Sequence, residues 1–95
     1  MTKEMELLRK MLDDNNIEYD DNSQHGLFWI TRTQFNYRGY YWSVIHGFCT
    51  YGGYSTFEKD KGLLELMSDA VNNGEPIGFL TAKEVFSYVK GGDDK

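Results

Sequence analysis

Ninety-five residues with a formal charge of −5 and one cysteine, Cys49, make a single domain with no internal disulfide. A hydrophobic share of 40% with 16% aromatics is too apolar for a disordered chain, so a core forms, built largely from rings. No apolar run is long enough for a signal segment or a membrane span, and the chain is expected to be cytoplasmic, its thiol reduced.

Thr2 is positioned to cap a first helix, in which Met5, Leu8, Met11 and Leu12 follow the three-and-four spacing of one buried face. Glu4 and Glu6 lie in its first turn, where the helix dipole favours negative charge, and Asn15 and Asn16 end it. Ile17 to Tyr19 reads as a short extended piece, and residues 20–26, DDNSQHG, as a loop.

Residues 27–35 alternate as a strand. Trp29, Thr31 and Thr33 fall on one side, Ile30, Arg32 and Gln34 on the other. Turn residues at 36–39, NYRG, lead into a second strand, Tyr40 to His46, and this pair is the expected central hairpin. Neither face of the second strand is plainly polar, so either both faces are covered or one displays rings to a partner, in which case a homodimer is expected.

Phe48 to Tyr51 is expected as a third strand before the Gly52-Gly53 pair, and Tyr54 to Phe57 as a short fourth strand or a lead into the next element. A second helix is predicted from about Glu58–Lys61 to Gly74, with Leu63, Leu64, Met67, Ala70 and Val71 as its buried stripe. Pro76 breaks the chain and Ile77 to Leu80 is a brief apolar link. Thr81 to Glu84 matches a capping box for a last helix carrying Val85, Phe86 and Val89 inward and closed by Gly91-Gly92, with 93–95 a polar tail. The fold class is α+β: a three- to four-stranded antiparallel sheet with helices on one face, in the order α-β-β-β-α-α over residues 1–92.

Charge is unevenly placed. Residues 1–21 carry seven carboxylates against three basic groups, residues 22–57 none, and residues 58–95 eight against five. The central third holds only Arg32 and Arg38 with His25 and His46, and eleven of the fifteen aromatic rings. Strand and helix composition accounts for part of this contrast, because strands favour rings and helix surfaces favour Glu and Lys.

Known chemistries find little purchase. His46 and Cys49, three apart on an extended strand, point to opposite faces, too far for a base to activate a thiol; Cys49 reads instead as a small buried hydrophobe and His46 as a half-buried strand residue. Two His and one Cys, even with Asp20 or Asp21, lack metal-site spacing, and no cofactor motif or P-loop is present. The pairs Asp13-Asp14 and Asp20-Asp21 diverge and have no apolar pocket to raise a carboxyl, so no catalytic residue is assigned. The order α-β-β-β-α also occurs in double-stranded-RNA-binding domains, but EKDKG at 58–62 is charge-balanced where those domains are basic, and direct nucleic-acid binding is not expected.

Two binding surfaces are left. Asp13, Asp14, Glu18, Asp20 and Asp21 form an acidic segment suited to a basic channel on a partner protein. Alternatively, Trp42, Tyr51 and Tyr54 with Gly52, Gly53 and the donors Arg32, Arg38 and His46 suit a flat anionic ligand such as a nucleotide, although each ring serves equally as core.

The stretch WSVIHGFCTYGGYSTFEKDKGLLELM, together with the N-terminal MELLRKMLDDNNIEY, resembles small proteins encoded by phages and prophages of gut bacteria, in which a His-Gly-Phe-x-Thr-Tyr-Gly-Gly turn precedes a Leu-rich helix. That likeness covers roughly the first seventy residues and brings no residue roles with it. In size, charge and element order the chain is also similar to anti-CRISPR proteins, which implies a non-catalytic inhibitor of a host nuclease acting in the host cytoplasm.

Overall fold

The computed structural model describes residues 1–25 and 29–91. Its elements run α1 (Lys3–Asp14), β1 (Asp20–Asp21), β2 (Gln24–His25), β3 (Trp29–Tyr37), β4 (Tyr40–Gly47), β5 (Leu64–Ser68), a single 3-10 turn (Asn72–Gly74), β6 (Ile77–Leu80) and α2 (Ala82–Lys90). All strand pairings are antiparallel, in the order β1-β3-β4-β5-β6, with β2 sharing the β3 edge with β1. The class is α+β, as expected.

The expected hairpin forms, but with a shorter turn than 36–39: Asn36 and Tyr37 continue β3, leaving Arg38 and Gly39 alone at the tip, both in the left-handed region. Such a two-residue turn matches the twist of the strands it joins, and it pins the register. Tyr37 then faces Tyr40, Phe35 faces Trp42, Thr33 faces Val44 and Thr31 faces His46. Period-two alternation sends Thr31, Thr33, Phe35, Trp42, Val44 and His46 to the inner face, and all six are buried. Met5, Leu8 and Leu12 of α1 and Ala82, Val85 and Val89 of α2 complete a single core there. Both helices therefore lie on one face.

Four expectations need correcting. Residues 64–68 form a strand instead of the second helix: Leu64, Leu66 and Ser68 turn inward between β4 and β6, while Met67 turns out. LLELM is made of good helix formers, and a short apolar run cannot be told from a buried strand by spacing alone. Asn72, Asn73 and Gly74, all at positive φ, then reverse the chain into β6 rather than end a helix. Phe48 to Tyr51 is not a strand; Thr50 accepts from the Gly47 amide and donates to the Gly47 carbonyl, folding the chain into a turn. The loop at 20–26 contains two short strands, because the open edge of β3 offers backbone partners to whatever runs beside it. Gly26, the strand start at residues 27–28, and Gly92 with the tail at 93–95 lie outside the described residues.

The last helix forms as read. Thr81 accepts from the Glu84 amide while Glu84 accepts from the Thr81 amide, and Gly91 closes the helix in the left-handed conformation. Thr2, by contrast, makes no cap bond; its hydroxyl donates to the Gly62 carbonyl and ties the start of α1 to the strand that follows.

Candidate functional site

The acidic segment is split by the sheet. Asp21 faces Thr33 on the inner side of β1 and meets Arg9 of α1 at 3.2 Å, while Asp20 faces Gln34 on the outer side. Arg9 also donates to the Thr33 hydroxyl at 2.8 Å and to the Arg32 carbonyl, and lies over the Tyr19 ring. Hydrogen bonds from Arg9 and then from Ser23 lower the Asp21 carboxyl to about 2. Asp14 pairs with Lys10 one turn back. Asp13, Glu18 and Asp20 are exposed and carry no side-chain partner. Glu18 and Asp20 border an open, largely polar cleft of about 430 Å³ between the α1–β1 connection and the end of β3, lined also by Asn15, Gln34 and Asn36.

The aromatic-and-arginine set does not assemble. Trp42 is fully buried, and its indole donates to the Tyr37 carbonyl. Arg38 donates to the Val89 carbonyl at 2.8 Å, occupying the carbonyl end of α2, with its guanidinium over Tyr40 and Trp42. Arg32 lies on the outer face of β3, opposite Ile45. Gly52 and Gly53 do not cradle a ligand, since a Cβ on Gly53 would sit 2.0 Å from the Gly47 carbonyl oxygen and one on Gly52 2.9 Å from Leu63. These glycines are needed for backbone packed on backbone. Tyr51 leaves the turn to stack on Phe79 at 6.4 Å, and its amide donates to Glu65.

Of the eight, Arg38 and Trp42 meet in the structural contact just described, and His46 and Tyr54 share a second cleft of about 250 Å³ that also includes Trp29, Thr31 and Asp60. His46 is buried, and its Nε2 lies 2.8 Å from Asp60. Burial pushes the Asp60 carboxyl up, but hydrogen bonds from His46 and from the Gly62 amide outweigh it and hold the group below its ordinary value. The ionised carboxylate accepts, so Nε2 bears the hydrogen, and in that tautomer Nδ1 is left as the acceptor of the uncharged imidazole. Cys49 takes no part: it is exposed, at positive φ in the turn, where the sequence suggested a buried residue.

Compared with family models, with curated proteins and with solved structures, the chain matches none. What it can do therefore rests on its own surfaces.

One of these is the outer face of the sheet. Neither helix covers it, and alternation places Tyr41, Ser43, Ile45, Glu65, Met67 and Phe79 there. Tyr41, Tyr51 and Phe79 are more than half exposed, at 52%, 55% and 55%. Toward β1 the same face becomes polar through Gln34, Asn36 and Asp20. The sequence allowed for displayed rings, and for Asp60 as a continuation of the acidic segment, but did not place Asp60 or Thr31 beside His46. The Asp-Lys-Gly spacing of a side-chain-capped turn signals the first, and pairing outward from the Arg38-Gly39 tip signals the second.

Proposed function

We propose that this chain is a non-catalytic binding protein whose target is another protein, engaged through the uncovered face of the sheet and its acidic edge. The observation that supports this reading best is that edge: Asp13, Glu18 and Asp20 are exposed and unpaired, and the last two line a polar cleft that borders an open sheet face. Carboxylates held apart from cations repel nucleic acid and attract a basic protein surface over a Debye length of roughly 8 Å at physiological salt. Exposed rings farther across the same face, Tyr41 on β4 and Phe79 on β6, supply the apolar contact from which most interface energy comes.

The specific form we propose is that suggested by the phage-type resemblance: inhibition, in the host cytoplasm, of a defence protein such as a CRISPR nuclease by occupying its nucleic-acid-binding surface. Asp14 and Asp21 contribute less than the other three, because Lys10 and Arg9 already neutralise them.

Immobilised protein incubated with lysate of the bacterial host, with captured proteins identified by mass spectrometry, tests the proposal. The triple variant Asp13→Asn, Glu18→Gln, Asp20→Asn is expected to reduce capture of a nucleic-acid-binding protein at least tenfold, to about the level that the unmodified protein shows in high salt. Capture that is indifferent to the triple change and to salt eliminates the acidic edge as the contact. A captured enzyme that still binds its nucleic acid eliminates the inhibitory reading.

A further inference from the structure

The cleft around His46 is built differently from the protein-facing surfaces, and it carries an inference that does not depend on them. Thr31 and His46 stand directly opposite each other on β3 and β4, both on the inner face and both buried. Asp60 reaches back from the long β4–β5 connection to hold the imidazole through Nε2. Neither Nδ1 of His46 nor the hydroxyls of Thr31 and Tyr54 has a hydrogen-bond partner. No buried side-chain nitrogen or oxygen among the described residues is left unsatisfied, so these three polar atoms are all reached by solvent. The cleft thus presents the unbonded Nδ1 of a ring held through its other nitrogen, two hydroxyls able to donate or accept, and the rings of Trp29 and Tyr54.

An aromatic wall with a few convergent polar groups is the general form of a small-molecule site. The volume of about 250 Å³ falls short of the ~300 Å³ at which drug-sized sites begin, which suits one small ring system rather than a whole nucleotide. Charge points the same way. Among its described lining residues the cleft contains the Asp60 carboxylate and no lysine or arginine, so apart from the amino group of Met1 nothing there offsets the repulsion that a phosphate would meet.

We propose that the cleft between Trp29, Tyr54 and the His46–Asp60 pair binds an uncharged planar heteroaromatic ring of the nucleobase class, stacked on the aromatic side chains and donating a ring or exocyclic N–H to His46 Nδ1. The Thr31 hydroxyl completes the recognition by bonding an adjacent polar atom of the same ring edge. Asp60 is a positioning residue: it fixes the tautomer that leaves Nδ1 as acceptor.

The test uses the full chain, with any tag at the C-terminus because Met1 borders the cleft. Adenine, hypoxanthine, cytosine and uracil, their nucleosides and their 5′-monophosphates are titrated separately, read by tryptophan fluorescence and by calorimetry. At least one free base is expected to give a saturable response, its monophosphate a weaker one. Thr31→Val, which keeps the side-chain shape, is expected to weaken that base about tenfold, as loss of one hydrogen bond does. His46→Ala is expected to abolish binding, Trp29→Phe to weaken it, and Tyr41→Ala on the outer face to leave it unchanged. A saturable heat unaltered in Thr31→Val overturns the assignment even if His46→Ala does not fold. So does the absence of any saturable response at millimolar base, or tighter binding of the monophosphate than of the base.

Discussion

The two faces of the sheet share every backbone hydrogen bond and almost nothing else. Inward, Thr31, Thr33, Phe35, Trp42, Val44, Leu64 and Leu66 are almost or wholly sealed beneath two helices. Outward, Tyr41, Met67 and Phe79 remain 43% exposed or more, although they occupy the same three strands or the one beside them. Burial follows from where the helices dock rather than from how apolar a side chain is, so the inner face carries stability and the outer face is free to carry recognition. Substitutions on the two faces are accordingly expected to fail in different assays.

The largest effect should come from Trp42. Its ring packs beside Phe35 with centroids 6.5 Å apart, and its indole is bonded to the Tyr37 carbonyl, so Trp42→Ala removes both a buried ring and a satisfied donor. A loss of about 3–5 kcal/mol is expected, out of a total stability of roughly 5–14 kcal/mol for a domain of this length. Urea denaturation followed by far-UV circular dichroism measures it, and a loss below about 1 kcal/mol breaks the assignment of this face as the core.

Arg9 should come next. Removing it by Arg9→Ala leaves the Thr33 hydroxyl without its donor, takes from the Arg32 carbonyl one of two donors, the Asn22 amide remaining, and breaks the pair with Asp21, at an expected cost of about 1–3 kcal/mol in the same assay. The pH dependence separates the ion pair from the other two bonds. The Asp21 carboxyl is lowered to about 2 from 3.8, so the pair stabilises the folded state fully above pH 3.8 and its contribution disappears as pH falls toward 2. Because Asp21 is exposed, that part is under about 1 kcal/mol. The stability difference between the unmodified protein and Arg9→Ala should narrow slightly on acidification across that range; a difference that widens contradicts the pairing.

The smallest effect on stability is expected on the outer face. Met67→Lys together with Phe79→Ser should change unfolding by less than about 1 kcal/mol in all, since neither side chain is buried in the core. The same pair of changes should abolish self-association if the bare face seats a second copy of the chain, as sedimentation equilibrium reads directly. A large loss of stability would mean that the outer face is structural in the monomer after all, and would dissolve the contrast between the faces.

Much of this arrangement is legible in the sequence wherever local signals agree. Thr81 and Glu84 specify the cap of α2, the spacing of Met5, Leu8 and Leu12 specifies the buried stripe of α1, and alternation specifies which residues within β3 and within β4 share a face, although how the two strands pair waits on the turn closing at Arg38 and Gly39. Residues 58–74 mislead because their local preference is helical while their place is the centre of a sheet. Nothing near LLELM announces that β4 and β6 will flank it. The candidate sites show the same division: exposure of Asp13, Glu18 and Asp20 follows from their polarity, whereas the neutralisation of Asp21 by Arg9 joins residues twelve apart through a helix-to-edge contact that no local pattern encodes.

The sequence by itself determined the class of the fold, both helices, the central hairpin, and the gathering of rings around a centre without carboxylates. Those follow from side-chain period and from turn chemistry, which act over a few residues. Only the tertiary structure decided that Leu64 to Ser68 is a strand, that Arg38 and Trp42 are structural, and that His46 meets Asp60 beside Thr31 and Tyr54. These depend on contacts between segments distant in the chain, where the burial of a whole layer outweighs the preference of any one stretch.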